Sequence, residues 1–215
     1  MLILCLVQPF SPEKVDDDPL SSLHASAIAA HRAKRHSEAL EQITAAIMLV
    51  YDKEQSTVPR SAASSNLFNS KGVIHKGAHD FPSALLAFDL AAELDDTGTN
   101  YNALYNRANT MHYNIFNQVE LGDKDKIRSV SEAFSSSPAR RGFTGQLHEQ
   151  LLEAAALDYA SADEILRTNF DPGYDYASFA NDYALCLRRL GNTNAAIEVL
   201  LRGERRLFVF IYFLG

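Results

Sequence analysis

A spacing of small residues recurs four times in this chain and restricts its fold more than any other feature. In each copy a small residue is followed by an alanine, and a second small residue comes seven positions after that alanine. The first interval is 12 residues in three copies and 47 in the third, so an insertion of 35 interrupts that copy. The three marker sets are Ala27, Gly72, Ala108 and Ala184; Ala39, Ala84, Ala155 and Ala196; and Ala46, Ala91, Ala162 and Gly203.

A larger side chain follows each of these alanines by four positions. Small residues at a helix crossing let two backbones approach closely, and a larger neighbour fills the space beside them. The spacing therefore predicts helix–turn–helix units, which bury their apolar faces only by stacking on one another. The four larger residues are Ile43, Phe88, Tyr159 and Leu200.

The second copy has the fullest pattern, reading F-x2-K-G-x2-H from residue 68 and A-x3-F from residue 84. It resembles the tetratricopeptide repeat (TPR), whose pattern is W-x2-L-G-x2-Y, then A-x3-F, then P. Phe68 replaces the tryptophan, and Asp96 stands where the closing proline would be. The other copies are degenerate. The resemblance covers roughly 21–206 and implies an all-α, right-handed superhelical solenoid of about four units, with an insertion in the third.

Three segments follow from this pattern: a loose leader at 1–18, a repeat domain at 19–206 and an apolar C-terminal tail at 207–215. The insert spans about 116–144. The added length of 35 residues is close to one repeat and leaves open an eroded extra unit, but 145–167 reads as one long helix, which favours a simple insert. Residues 53–66 are polar and serine-rich, which favours a linker loop. The predicted helix pairs are 20–34 with 37–51, 66–78 with 81–95, 101–114 with 145–167, and 175–190 with 193–206.

Composition narrows the function classes. The net charge of −7 argues against a general nucleic-acid binder, which needs a basic face. The two cysteines have no zinc-site spacing, which favours a reducing, cytoplasmic setting. The apolar run at 207–214 is shorter than the ~20 residues that span a membrane, so no membrane partner is expected.

The TPR resemblance implies that the first helix of each unit lines a concave groove. Asparagine recurs on this predicted face although it is a poor helix former. An amide offers a donor and an acceptor, which suits the backbone of an extended peptide. The alternative is an ordinary solvated polar face. The predicted peptide-binding residues are Asn66, Asn69, Lys76, Asn102, Tyr105, Asn106, Asn109, His112, Asn181 and Arg188.

Charge on the same predicted face favours an acidic peptide segment. Arg32, Arg188 and Arg189 join Lys76 there, against a single acid, Asp182. The sequence Asn-Arg-Ala at 106–108 is similar to the middle helix of the TPR clamp that grips acidic chaperone tails. Most of the other clamp positions are not matched, so a chaperone-tail clamp is not expected.

Catalytic patterns are weak, and the chain is predicted to be no enzyme and to need no cofactor. No glycine-rich phosphate loop, nucleophile elbow or paired-carboxylate pattern is present. His75, His79 and Asp80 could suggest a metal, but His75 fills an aromatic packing position and His79 lies in a turn. The leading prediction is a protein-binding scaffold. The alternative is a structural subunit that docks through its ends or its insert, which the apolar end favours.

Overall fold

In the computed structural model, the described residues are 18–51, 57–117, 124–136, 146–169 and 174–214. For 124–127, 136 and 205–214 only the helical backbone is described. These residues form an all-α fold, as predicted, with a π-helical segment at Thr110–Ile115 that continues α5. The α-helices are α1 Pro19–Arg32, α2 His36–Val50, α3 Ala62–Gly77, α4 Phe81–Leu94, α5 Tyr101–Asn109, α6 Lys124–Ser136, α7 Leu147–Thr168, α8 Tyr176–Arg189 and α9 Thr193–Leu214.

The helices pack as four successive hairpins. Helix α1 packs on α2, α3 on α4, α5 on α7, and α8 on α9, and each hairpin also contacts the next one along the chain. Helix α6 packs on α4, where Val130 and Phe134 are buried in the same apolar cluster as Leu85. The predicted helix pairs are therefore present, with boundaries shifted by at most four residues except in α9, which continues to Leu214 rather than ending at 206.

The small marker residues lie at the helix crossings, as predicted. Ala27, Ala39 and Ala84 have no exposed surface, and Gly72 is buried. A Cβ on Gly72 would lie only 2.6 Å from Cδ1 of Phe88, so the ring packs directly on the glycine backbone. The other small markers on all four hairpins are buried as well.

One prediction about the larger marker residues is wrong. Ile43, Phe88 and Tyr159 are fully buried, but Leu200 is 45% exposed. In helix α9 the neighbouring Val199 is buried instead. The physical reason is that α9 is the last helix described, so no described helix packs over the side of α9 that carries Leu200.

Helix α3 begins earlier than predicted, because Ser61 caps it and the following Ser64 and Ser65 lie within the helix rather than in a linker. The Ser61 hydroxyl accepts a hydrogen bond from the Ser64 N–H, which starts the helix at Ala62. Ser65 is buried, and its Oγ donates to the Ala91 carbonyl at 2.6 Å. Of the predicted linker, residues 53–56 lie outside the described residues.

The predicted end segments and insert are described only in part. Residues 1–17 of the leader and 118–123 and 137–144 of the insert lie outside the described residues. At the other end, the backbone of α9 remains helical through Leu214, so no break in the helix separates the predicted tail from the last hairpin. Among the described helices, none combines the length and the apolar character needed to cross a membrane.

Candidate functional site

The first helices of the four hairpins, α1, α3, α5 and α8, are linked side by side by hydrogen bonds. His24 Nε2 lies 2.8 Å from Ser70 Oγ, which connects α1 to α3. Asn106 Nδ2 donates to Asn69 Oδ1 at 3.0 Å, which connects α5 to α3. The connection between α5 and α8 centres on Asp182. We call these four helices the first-helix layer.

Asp182 is a partly buried carboxylate that three donors satisfy. Tyr105 OH donates to it at 2.7 Å, Tyr113 OH at 2.8 Å and Asn109 Nδ2 at 3.3 Å. Lys76 Nζ in turn donates to Asn109 Oδ1 at 3.3 Å, so one polar chain runs from α3 through α5 to α8.

Burial shifts the pKa values of the ionisable groups in this hydrogen-bonded chain so that their neutral forms are favoured. Burial raises the pKa of Tyr113 to about 12, and its hydrogen bond to Asp182 adds to the effect. Burial lowers the pKa of Lys76 from its usual value, although Asp182 opposes that shift. The phenols are therefore neutral hydrogen-bond donors at physiological pH.

The structure sorts the predicted binding residues into three classes of exposure. Four are exposed and occur on α3, α5 and α8. Five are half-buried and take part in the hydrogen bonds between helices. The exposed residues are Asn66, Asn102, Asn181 and Arg188, and the half-buried ones are Asn69, Lys76, Tyr105, Asn106 and Asn109.

The tenth predicted residue, His112, does not lie on an accessible surface. It is 0% exposed, and neither ring nitrogen has a hydrogen-bond partner among the described residues. Burial lowers the pKa of His112 to about 4, with a further contribution from Arg189. Its prediction as a binding residue assumed regular α-helical spacing. The wider π-helical turn changes that spacing, and the next residue, Tyr113, reaches Asp182 instead.

Sequence reasoning missed a buried ion network behind the first-helix layer. Arg107 makes two hydrogen bonds to Asp158, at 2.7 and 2.8 Å, and one to Asp89 at 2.7 Å. Arg107 is 4% exposed and Asp158 is 0% exposed. Burial opposes the charge on Arg107, but the two carboxylates outweigh this and raise its pKa. One signal in the sequence could have indicated this network: Asp89 and Asp158 each interrupt an apolar stretch of a predicted helix.

This network joins three helices, since Asp89 belongs to α4, Arg107 to α5 and Asp158 to α7. All of its members are buried, so the network fixes the scaffold and does not present charge to a ligand.

His75 and His79, whose pattern in the sequence could suggest a metal site, lie at the end of α3 and in the turn before α4. His75 Nδ1 lies 3.1 Å from Asp80 Oδ2, and His79 is in the adjoining turn. Among the described residues, no group of three histidine, cysteine or acidic side chains is placed to hold a metal ion. Burial raises the pKa of Cys186 to about 12, so this thiol is protonated and inaccessible.

Comparison with known proteins does not assign this chain to a family. No protein-family model matches the chain, and a search of curated proteins finds no significant match. Function is therefore inferred from the residues themselves.

Proposed function

We propose that this protein is a non-catalytic adaptor that binds an extended peptide along its first-helix layer. In this proposal the four hairpins form a right-handed, TPR-like solenoid, and the layer is its concave wall. The side-chain hydrogen bonds that link α1, α3, α5 and α8 in order support a continuous wall.

The observation that carries the proposal is a set of free amides. Asn66, Asn102 and Asn181 are exposed, and none makes a side-chain hydrogen bond within the described part of the chain. They occur on α3, α5 and α8, three successive helices of the layer. An amide pairs with both the N–H and the carbonyl of a peptide, and each such bond contributes about 0.5–1.5 kcal/mol.

Charge favours an acidic segment as the bound peptide. Arg188 is exposed on α8, and Arg189 lies beside it with its guanidinium 4.8 Å from the Phe116 ring centre. The acid on this face, Asp182, is satisfied by three donors and so repels a carboxylate less than a free aspartate would. A chaperone-tail clamp remains disfavoured, because most of its basic positions are not matched here.

A peptide selected from a random library against the full chain tests this proposal. The Asn102→Ser/Asn181→Ser variant removes two amides of the layer. The Asn169→Ser/Asn194→Ser variant removes two exposed amides elsewhere and serves as the matched control. Loss of two bonds should weaken binding by about 1–3 kcal/mol, or roughly 5- to 150-fold. Equal affinity of both variants for the peptide would contradict the proposal.

A second candidate function is a structural subunit that docks through its last helix. Ile197, Leu200 and Leu201 are each about half exposed on α9, at 50%, 45% and 45%. Their spacing places an apolar patch on one side of that helix. A Leu200→Ser/Leu201→Ser variant should then no longer assemble into the native complex, although it should still bind the selected peptide. For both candidate functions we propose a cytoplasmic location.

A further inference from the structure

A cleft of about 550 Å³ opens at the turn end of the first two hairpins. Basic and imidazole side chains from both turns line it, and none of its lining residues is acidic. The lining residues are His31, Arg32, Lys34, His36, Gly77, Ala78 and His79.

Two imidazoles meet in this cleft with unused hydrogen-bonding capacity. The ring centres of His31 and His36 are 5.4 Å apart, and Nδ1 of each ring is buried with no hydrogen-bond partner in the described ranges of the chain. Gly77 makes room for them, since a Cβ there would lie 2.5 Å from His31 Cε1 and 3.1 Å from His36 Cε1.

The two cations of the cleft are also unpaired. Within the described part of the chain, neither Arg32 nor Lys34 has a carboxylate partner. The neighbouring Arg35 does not line the cleft, and it bonds Glu38 at 2.6 Å. The positive charge directed at the cleft is therefore not neutralised locally.

Two lining residues have backbone conformations that side chains disfavour. Lys34 has φ 60° and His79 has φ 61°, at the turn positions where the last hairpin has Gly191 with φ 80°. A glycine would be more stable at each of these two positions. Strain of this kind is often found where a side chain has a role in binding.

We propose that this cleft binds a phosphate monoester dianion, carried by a phosphorylated side chain or by a free phosphate metabolite. Such a group has close to two negative charges and three strong acceptor oxygens. The cleft is lined by two cations and three imidazole rings. The cations balance the charge of such a group, and an imidazole N–H can donate to each of its oxygens. The proposal goes beyond peptide capture, because the cleft lies at the hairpin turns and uses none of the free amides of the first-helix layer.

Imidazole NMR resonances of the full chain test this directly. The probes are inorganic phosphate, a short phosphoserine peptide and the same peptide without phosphate. We expect saturable shifts of His31, His36 and His79 with phosphate or the phosphopeptide, while His148 on α7 stays unchanged. Tighter binding of the phosphopeptide identifies a modified side chain as the source, and equal affinity identifies a free phosphate. Absence of saturable shifts with both probes would overturn the proposal.

Two pairs of variants separate a built site from bulk charge. Arg32→Gln/Lys34→Gly removes two cleft cations and relieves the positive φ, so the fold is retained. Arg60→Gln/Arg128→Gln removes the same charge from exposed residues outside the cleft. The first variant should lose at least about tenfold in phosphate affinity and the second should not. Equal losses of phosphate affinity in both variants would show nonspecific attraction and would contradict a built site in the cleft.

A further variant changes the cleft without changing charge. Gly77→Ala forces the far edge of the His31 ring to move, which a side chain can do at little cost to the fold. Weaker phosphate binding is expected, and unchanged binding would contradict a role for the ring. The Asn102→Ser/Asn181→Ser variant should bind phosphate normally, so failure of peptide capture and failure of this site are distinguishable.

Discussion

The α3–α4 hairpin and the α5–α7 hairpin carry the same three small marker positions but are held together differently. In the first, Gly72 lies against the ring of Phe88, and the crossing is apolar. In the second, Arg107 on α5 binds Asp158 on α7 and Asp89 of the preceding hairpin. The spacing thus sets where two helices cross, but it does not decide which chemistry fills the space around the crossing.

The difference follows from the chain between the paired helices. A turn of three residues joins α3 to α4, whereas α6 and the rest of the insert separate α5 from α7. Helices far apart in sequence need another way to select their partner and register. We infer that the ion network provides it, since a buried polar group penalises alternative packings in which it is left unpaired.

Arg107→Met should have the largest effect, because it leaves two buried carboxylates without their cation. We expect the free energy of unfolding to fall by about 3–5 kcal/mol in urea denaturation. A triple variant with Asp89→Leu and Asp158→Leu added should recover much of that loss, as the remaining charges are removed. A loss below about 1 kcal/mol in the single variant would mean that the network does not hold the third hairpin.

The buried His112 should make the free energy of unfolding depend on pH. Burial lowers its pKa from 6.5 to about 4 in the folded protein, so the unfolded chain binds the proton more tightly. The contribution of His112 is complete above pH 6.5 and is lost as the pH falls toward 4, by roughly 3 kcal/mol. Urea denaturation from pH 7 to 4 should show a shallower decline for His112→Leu. The same decline in both proteins would refute this account.

Gly72→Ala tests the apolar crossing of the α3–α4 hairpin. The new methyl group would overlap the Phe88 ring, so we expect a loss of about 1–3 kcal/mol in the free energy of unfolding. Adding Phe88→Leu should restore part of it by making room. Without that recovery, close contact of the glycine and the ring would not be the cause.

The smallest effect concerns the hydrogen bond between the two hairpins. The losses in the free energy of unfolding caused by Asn69→Ala and by Asn106→Ala should not add up in the double variant. Urea denaturation should give a coupling energy of about 0.5–1.5 kcal/mol. Strict additivity would show that this bond contributes nothing to the joining of α3 and α5.

How far the sequence predicts this molecule depends on whether a feature is periodic. The helix pairs, the burial of Gly72 and the exposure of Asn102 and Asn181 all follow from regular helical spacing. The π-helical segment does not, because a single wider turn moved His112 inward and brought Tyr113 to Asp182.

Polar contacts between helices were also beyond sequence reasoning. The ion network of Arg107 and the bond between Asn69 and Asn106 join residues on different helices, whose distance depends on tertiary packing. A single sequence shows which side chains are polar and on which face they lie. It does not show which of them are used internally and which remain free for a ligand.

Photo-crosslinking of a selected peptide tests the peptide-binding surface most directly. A photoreactive amino acid is placed at position 102, on the first-helix layer, or at position 93, exposed on α4. We expect a crosslink to the peptide from position 102 and none from position 93. Crosslinking from position 93 alone would contradict peptide capture by the first-helix layer.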